Sequence, residues 1–526
     1  MKLVIFLLAA LSLNAQVPYD RIRGADTEPG NWLTYSGNYS SHRFTRLNQI
    51  TAANVRRLKP AWVYQIKARE KVQTTPLVVD GIMYLTEPPS DVTALDTRTG
   101  RPLWSYRRPM PKGVRGCCAQ INRGAAILDD MVFLGTFDAH LVALDIKTGL
   151  VRWDVTVADY NVGHSITVAP LAVKDKIVVG IAGGEYGVRG FLDAYDAKTG
   201  KRAWRFWTVP AAGEPGVETW AGDSYKTGAA TTWVTGAYDP EQNLVFWGTG
   251  NPGPDWNGEA RKGDNLYSDS LLALDADTGQ LKWYFQFTPH DVHDWDSTEV
   301  PVLAEGVVHG QKRKLVLFAN RNAFYYVLDR QSGKFLVGKQ FAKQTWAKGL
   351  DDSGRPIRIP NTSPTVEGTK VYPSVPGATN WFSPSYSPMA NLLYVATRDE
   401  GGIYYMGEAE YRPGSQFNAG GFRPIPGEEP TGAIRALKPN SGELAWEFKL
   451  HTPPWAGVMS TAGGLVFGGT NEGDFFALDA TSGKLLWRFQ TGGPITSNPM
   501  SYLSGSKQHV AIASGSAVFT FALEEQ

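Results

Sequence analysis

Four polar side chains occupy sharp turns where hard oxygen donors could gather. They are Glu185 in GIAGGEYG (180–187), Asn251 in GTGNPGP (248–254), and Asp294 and Asp296 in TPHDVHDWDST (288–298). Carboxylates and an amide carbonyl form the donor set preferred by Ca²⁺ or a larger hard cation. Taken singly, Gly-Gly-Glu and Asn-Pro are also ordinary turn formers. His290 and His293 lack a third transition-metal ligand at matching spacing, so both are expected at the surface or behind the oxygen donors. The only two cysteines of the 526 residues, Cys117 and Cys118, are adjacent in RGCCAQINRG (115–124). Two readings stand for them. They are either reduced thiols acting as small apolar groups, or a tight ring closed across one peptide bond, which constrains too short a loop to serve as a structural staple.

These residues need a scaffold, and the chain repeats one. A hydrophobic pair, Asp, two residues, Thr or Ser, Gly, three residues and Trp recur as ALDTRTGRPLW (94–104), ALDIKTGLVRW (143–153), AYDAKTGKRAW (194–204), ALDADTGQLKW (273–283) and ALDATSGKLLW (477–487). In two weaker copies Val337 replaces Trp and Lys438 replaces Asp, and Trp62 closes a partial one. Each copy reads as a hairpin. A strand ends at Asp, whose carboxylate accepts turn N–H groups; Gly supplies a positive φ, and the next strand carries the Trp inward. Further strand-like runs lie between copies, giving a four-stranded unit about every 40–50 residues, the spacing of propeller blades. Eight Trp-type positions predict an all-β, eight-bladed propeller with tryptophan-docking repeats over residues 16–526. Loop insertions are expected near 205–270 and 338–380, the segments that carry function on such scaffolds.

Composition agrees. Gly 56, Trp 17 and Tyr 22 suit short strands and tight turns. A net charge of +1 leaves no basic stripe for nucleic acid. Residues 1–15 read as a secretory signal: Lys2, an apolar run from Leu3 to Leu13, then Ala15 as the cleavage point. The run is too short to span a bilayer, and no other segment approaches one. A periplasmic location without a membrane span follows as the expectation. That oxidising compartment favours the ring reading of Cys117–Cys118. No Cys-x-x-Cys-His motif is present, so an electron acceptor would be a separate molecule.

Across residues 25–525 the chain resembles the quinoprotein alcohol dehydrogenases, which bind pyrroloquinoline quinone (PQQ). The motifs that carry the likeness include CCAQINRG, GIAGGEYG, ETWAGDSYKTG, GTGNPGP, TPHDVHDWD, NRNAFYYVLDR, ATNW and WAGVMSTAGGLVF. The resemblance implies that Cys117 and Cys118 form a disulfide against one quinone face, with Trp233 on the other. It places Arg123, Thr167 and Trp455 on the PQQ carboxylates and rim, Gly183 and Gly184 at a close backbone approach, and Asn380 beside the quinone. It assigns Glu185, Asn251 and Asp294 to the metal, Asp294 also as general base, and Arg321 to the charge that develops as hydride passes from the alcohol to PQQ. Two positions depart from the family pattern: Gln73 replaces a Glu found in methanol-oxidising members, and Ala182 replaces a Ser. Asp296 is a carboxylate that lanthanide-using members have and calcium-using members generally lack. A trivalent ion gains more from an added anionic ligand, so a lanthanide is favoured over Ca²⁺. The implied activity is oxidation of an alcohol to an aldehyde, with electrons passed to a soluble acceptor such as a cytochrome c. A sugar or polyol substrate and a non-catalytic scaffold are the alternatives, and monomer and homodimer both remain open.

Overall fold

The computed structural model describes residues 16–67 and 71–524. The proposed signal segment, 1–15, lies outside the described residues. Among those described, no helix is long and apolar enough to cross a membrane.

Eight blade sheets carry the chain: seven are four-stranded and antiparallel, and that of blade 7 gains a fifth, parallel strand, Phe44–Thr45. Blade 1 runs from Leu77–Val79 to Pro102–Tyr106, blade 2 from Ala126–Leu128 to Val151–Thr156, and blade 3 from Leu171–Val173 to Arg202–Trp207. Blade 4 runs from Ala237–Asp239 to Leu281–Gln286, and blade 5 from Val302–Val308 to Phe335–Gln340. Blade 6 runs from Ser385–Ser387 to Leu444–Leu450, and blade 7 from Met459–Thr461 to Leu485–Gln490. In blade 8 the three C-terminal strands, ending in Ala517–Leu523, are completed by the early strand Leu58–Gln65, which closes the ring. This closure fastens the beginning of the chain to its end within one sheet, and the blades keep only short edges.

The repeat now has a physical account. The Asp of each turn accepts the N–H groups that follow it: Asp275 Oδ1 receives Asp277 N at 3.1 Å and Thr278 N at 3.0 Å. The Trp docks, as the repeat predicts, and the structure shows on what. It sits on the outermost strand and docks on the next blade's turn. Trp204 of blade 3 donates Nε1–H to the Ala276 carbonyl of blade 4 at 3.0 Å. A Cβ on Gly279 would stand 2.6 Å from that indole, so glycine is required there both by its φ of +71° and by the docked ring. Trp62, Trp104, Trp153, Trp283 and Trp446 repeat the contact on Thr97, Ile146, Ala197, Arg330 and Ala480. Where Val337 replaces Trp, Gly442 of the next blade meets Lys339 and Tyr325 instead. Burying each indole contributes about 1.5–3 kcal/mol, so the docking row is a main tie between blades.

The insertions differ in extent from the expectation. The span 205–270 contains the first two strands of blade 4, Ala237–Asp239 and Leu244–Gly248, so only the stretches flanking them are loop. A third insertion, not anticipated, separates the second and third strands of blade 6. It forms the hairpin Gly402–Met406 with Gly420–Pro424, joined by Thr369–Val371. Its strands lack the Asp-Thr-Gly-Trp signature, which is why the repeat pattern passes over them.

Blade 8 also carries a buried titratable group. His509 stacks on Tyr502, with ring centres 5.3 Å apart, and its Nδ1 has no partner. Burial, reinforced by Lys507, pushes its pKa down to about 4. In the unfolded chain the ring protonates below about pH 6.5, while in the fold it stays neutral. The stabilisation is therefore complete above pH 6.5 and is lost as pH falls towards 4, by about 3 kcal/mol in all. Denaturant unfolding at a series of pH values should show that loss in the native protein and its absence in His509→Gln.

Candidate active site

The segments leading into the first strands of the blades converge at one end of the propeller. Gln73, Arg123, Thr167, Trp233, Asp296, Trp381, Trp455 and Thr496 come from these lead-ins, one from each of the eight blades. Turns between second and third strands reach the same end and add Glu185 from blade 3 and Arg321 from blade 5. Together they enclose a cavity of about 1100 Å³. Every site residue named from the sequence lines it except Gly184 and Asn251.

Cys117 and Cys118 are joined as a disulfide, with Cα atoms 3.8 Å apart. Both are exposed on the cavity wall, and their sulfurs lie within 4.8 Å of a Glu185 carboxylate oxygen. Gly116 before them is needed for space, because a Cβ there would stand 2.3 Å from the Phe137 ring.

The acidic side is built from three loops. Asp296 is only 5% exposed. Its Oδ1 accepts the Asn251 backbone N–H at 2.7 Å, and its Oδ2 pairs with Arg321 Nη1. Gly250 permits this approach, since a Cβ would lie 2.4 Å from that Oδ1. Asn251 donates Nδ2–H to Asp255 Oδ1 at 2.9 Å, which orients the amide and leaves its carbonyl oxygen as an acceptor. Asp294 sits at φ +60°, a left-handed conformation unusual outside glycine. Asp291 holds that turn: its two oxygens accept His293 N at 3.0 Å and Trp295 N at 2.8 Å. Arg261, fully buried, ties the Pro254 and Asp255 carbonyls to the same segment through the Asp291 carbonyl at 2.5 Å.

Burial raises the pKa values of Glu185, Asp255, Asp294 and Asp296. Glu185 is pushed up to about 7, with the charge of Asp296 adding to burial. Asp294 moves well above the ordinary range through burial, with Asp296, Asp255 and Glu185 adding and Arg321 opposing. Asp296 is raised by burial against the pull of Arg321. A cation placed among them would remove that penalty, so this donor set fits a hard metal ion.

The other side carries the opposite imbalance. Arg123, 3% exposed, donates to Thr167 Oγ1 at 2.9 Å and lies 4.8 and 4.9 Å from the Trp233 and Trp381 ring centres. It makes no salt bridge among the described residues; its Nε is unpartnered, and burial lowers its pKa to about 10. Gln73 Oε1 and Arg321 Nε are likewise buried without partners. A buried guanidinium without a carboxylate fits the anionic cofactor that the resemblance implies.

Several sequence expectations gain a different physical account. The missing Cβ of Gly183 is needed by the Gly163 carbonyl, 2.3 Å from where it would stand, and Gly184 faces Ala229. Asn380 uses its amide locally, donating to the Pro376 carbonyl at 2.7 Å and accepting Trp381 N at 2.8 Å. Of the two places expected for His293, it takes the buried one: it is 1% exposed, stacked on Trp295 with ring centres 4.2 Å apart. Asp255, Arg261, Asp291 and Trp381 escaped the sequence reading. Asp255 and Asp291 lie within four residues of Asn251 and Asp294, and that nearness was the available signal.

The chain matches the family model described as "Glucose/ethanol/alcohol dehydrogenase, beta-propeller domain" over residues 32–342 and 424–510. It is 39% identical to the "Quinoprotein alcohol dehydrogenase PedH" of Pseudomonas putida, covering 97% of this chain and 90% of that protein. It is 36% identical to the "Lanthanide-dependent methanol dehydrogenase" of Methylacidiphilum fumariolicum, covering 96% and 88%. The solved "Europium-containing methanol dehydrogenase" superposes with a TM-score of 0.91 at 33% identity, covering 96% of this chain and all of that one. The fold and cavity thus define a PQQ-binding propeller dehydrogenase. The chain belongs to the quinoprotein alcohol dehydrogenase family and is a PQQ-dependent enzyme of alcohol oxidation. The scaffold alternative is set aside by that membership.

Replacing Asp291 with Ala leaves two buried N–H groups without acceptors, each costing about 1–3 kcal/mol. Denaturant unfolding should show a loss of roughly 2–4 kcal/mol for Asp291→Ala. An unchanged midpoint would remove Asp291 as the organiser of the Asp294 turn.

Proposed function

We propose that this protein is an exported, periplasmic enzyme that oxidises an alcohol to an aldehyde using PQQ and a lanthanide ion. Electrons then leave to a separate carrier such as a cytochrome c. The observation that carries the reading is the charge arrangement: an unpaired buried guanidinium and a cluster of buried carboxylates line one cavity.

PQQ, when bound, supplies the two-electron acceptor, and a bound cation supplies Lewis acidity. Glu185, Asn251, Asp294 and Asp296 would hold the ion. The Cys117–Cys118 disulfide and Trp233 would clamp the flat cofactor, with Arg123, Thr167 and Trp455 at its rim. Asp294 takes the proton of the substrate hydroxyl. A neighbouring cation weakens its basicity, so its strained, tethered position matters more than its pKa. Arg321 is fixed through Asp296 and the Val375 carbonyl, and keeps Nε–H free for the oxygen on which charge develops.

Asp296 supports the lanthanide reading. It brings a further anionic donor beside Asn251, and the lanthanide-dependent relative from Methylacidiphilum is similar over nearly the whole chain. Reconstitution with PQQ and either La³⁺ or Ca²⁺ tests it: turnover should require La³⁺, and full turnover with Ca²⁺ alone would sink the proposal. Asp294→Asn should retain PQQ, measured by absorbance titration, while turnover drops by about 10²–10⁴. Unchanged turnover would take Asp294 out of the base role.

A further inference from the structure

Residues 30–45 run along the inner edges of the blades, the edges opposite the strands that carry the docked indoles. Val78 N–H of blade 1 donates to the Trp32 carbonyl at 3.0 Å, Leu303 N–H of blade 5 to Ser40 at 2.9 Å, and Tyr386 N–H of blade 6 to His42 at 2.8 Å. Phe44–Thr45 then joins blade 7 as its parallel strand. The segment is thereby fixed on several sides, with Trp32, Tyr35, Ser36 and Arg43 all buried.

Arg43 brings a positive charge into this interior. It is 0% exposed, and its backbone stands at φ +44°. Its Nη1 donates to the Pro499 carbonyl at 3.2 Å and its Nη2 to the Tyr35 carbonyl at 2.5 Å. The Tyr35 and Trp32 ring centres lie 5.0 and 5.8 Å from the guanidinium carbon. Carbonyl dipoles and ring faces stabilise a buried cation but leave its charge in place. No carboxylate pairs with Arg43 among the described residues, and burial lowers its pKa to about 10. Arg261, equally buried, has Asp291, Asp255 and Asp269 around it.

Three donors beside this charge lack acceptors. Arg43 Nε, Trp32 Nε1 and Ser36 Oγ are buried without partners among the described residues. The first two can only donate, and the hydroxyl can turn its proton the same way. The Ser36 carbonyl accepts the Arg43 N–H at 3.0 Å, which folds these residues together. Gly37, at φ +88°, leaves room for the Trp32 ring, 3.2 Å from where a Cβ would stand. A water molecule could accept two of these protons but brings no charge. A small anion answers both shortages.

We propose that Arg43, Trp32 and Ser36 form a buried halide site, with chloride as the counter-ion of Arg43. A monatomic ion accepts from all three donors at once, whereas a carboxylate or phosphate needs further donors for its remaining oxygens. None of the three residues lines the cofactor cavity, so the site stands apart from the alcohol-oxidising reading.

Crystals of the full chain grown with bromide in place of chloride, measured at the bromine absorption edge, should show an anomalous peak within hydrogen-bond reach of Arg43 Nε. Density for water alone at that point would overturn the proposal. Thermal unfolding after dialysis into gluconate, with halide added back at constant ionic strength, reads the same site in solution. The native midpoint should rise with chloride and with bromide. Trp32→Phe keeps a ring and removes the N–H, and should need about tenfold more chloride for half of that rise. Ser36→Ala, which removes only the hydroxyl, makes the same comparison if Trp32→Phe does not fold. Equal midpoints in gluconate and chloride, or an unchanged chloride dependence in the folded variant, would sink the site. A bromine peak without the solution shift would mark an adventitious ion only, and would sink it too.

Discussion

Buried charge that the chain does not neutralise by itself is the constraint around which this structure is arranged. Glu185, Asp294 and Asp296, with Asp255 behind them, crowd into one side of a cavity where Arg321 is the cation paired to them. Across the same space Arg123 is buried without an anion among the described residues. Isolated charges of either sign are costly in a low-dielectric interior. The rigid surroundings, a positive-φ turn braced by Asp291 and Arg261 and a disulfide beside Glu185, hold the two sets apart instead of letting them collapse into an ion pair. A fold that maintains such an imbalance is preorganised for an anionic cofactor and a cation.

The propeller is what makes this arrangement stable. Six of the eight blades pass an indole from the outermost strand to the next blade's turn, so the ring resists separation at those contacts. At the functional end the lead-ins and loops carry polar and strained residues. Hydrophobic docking is thus segregated from the strained, charged site, and the favourable burial of one offsets the electrostatic cost of the other.

Much of the architecture was legible because it is periodic. The Asp-to-Trp spacing marked all eight blades, including the copy in which Val337 stands for Trp and the partial one at Trp62. That the Trp docks was expected from the repeat as well, whereas the carbonyl each indole meets is a contact between blades and leaves no mark within one hairpin. The blade 6 hairpin was missed because it is not part of the repeat, and insertions have no period to detect. For the site, motif residues were found, whereas Asp255, Arg261 and Asp291, which hold those residues through backbone carbonyls and N–H groups, carry no distinctive type or spacing.

The sequence by itself determined the number of blades, the turn chemistry and the donor set, because these depend on local spacing and residue type. Tertiary structure alone decided that Gln73 and Trp455, nearly 400 residues apart, face one cavity. It also decided that Arg123 has no counter-ion among the described residues. Those facts depend on closing a ring of eight blades, which brings distant lead-ins together and sets which charges find partners and which are left facing open space.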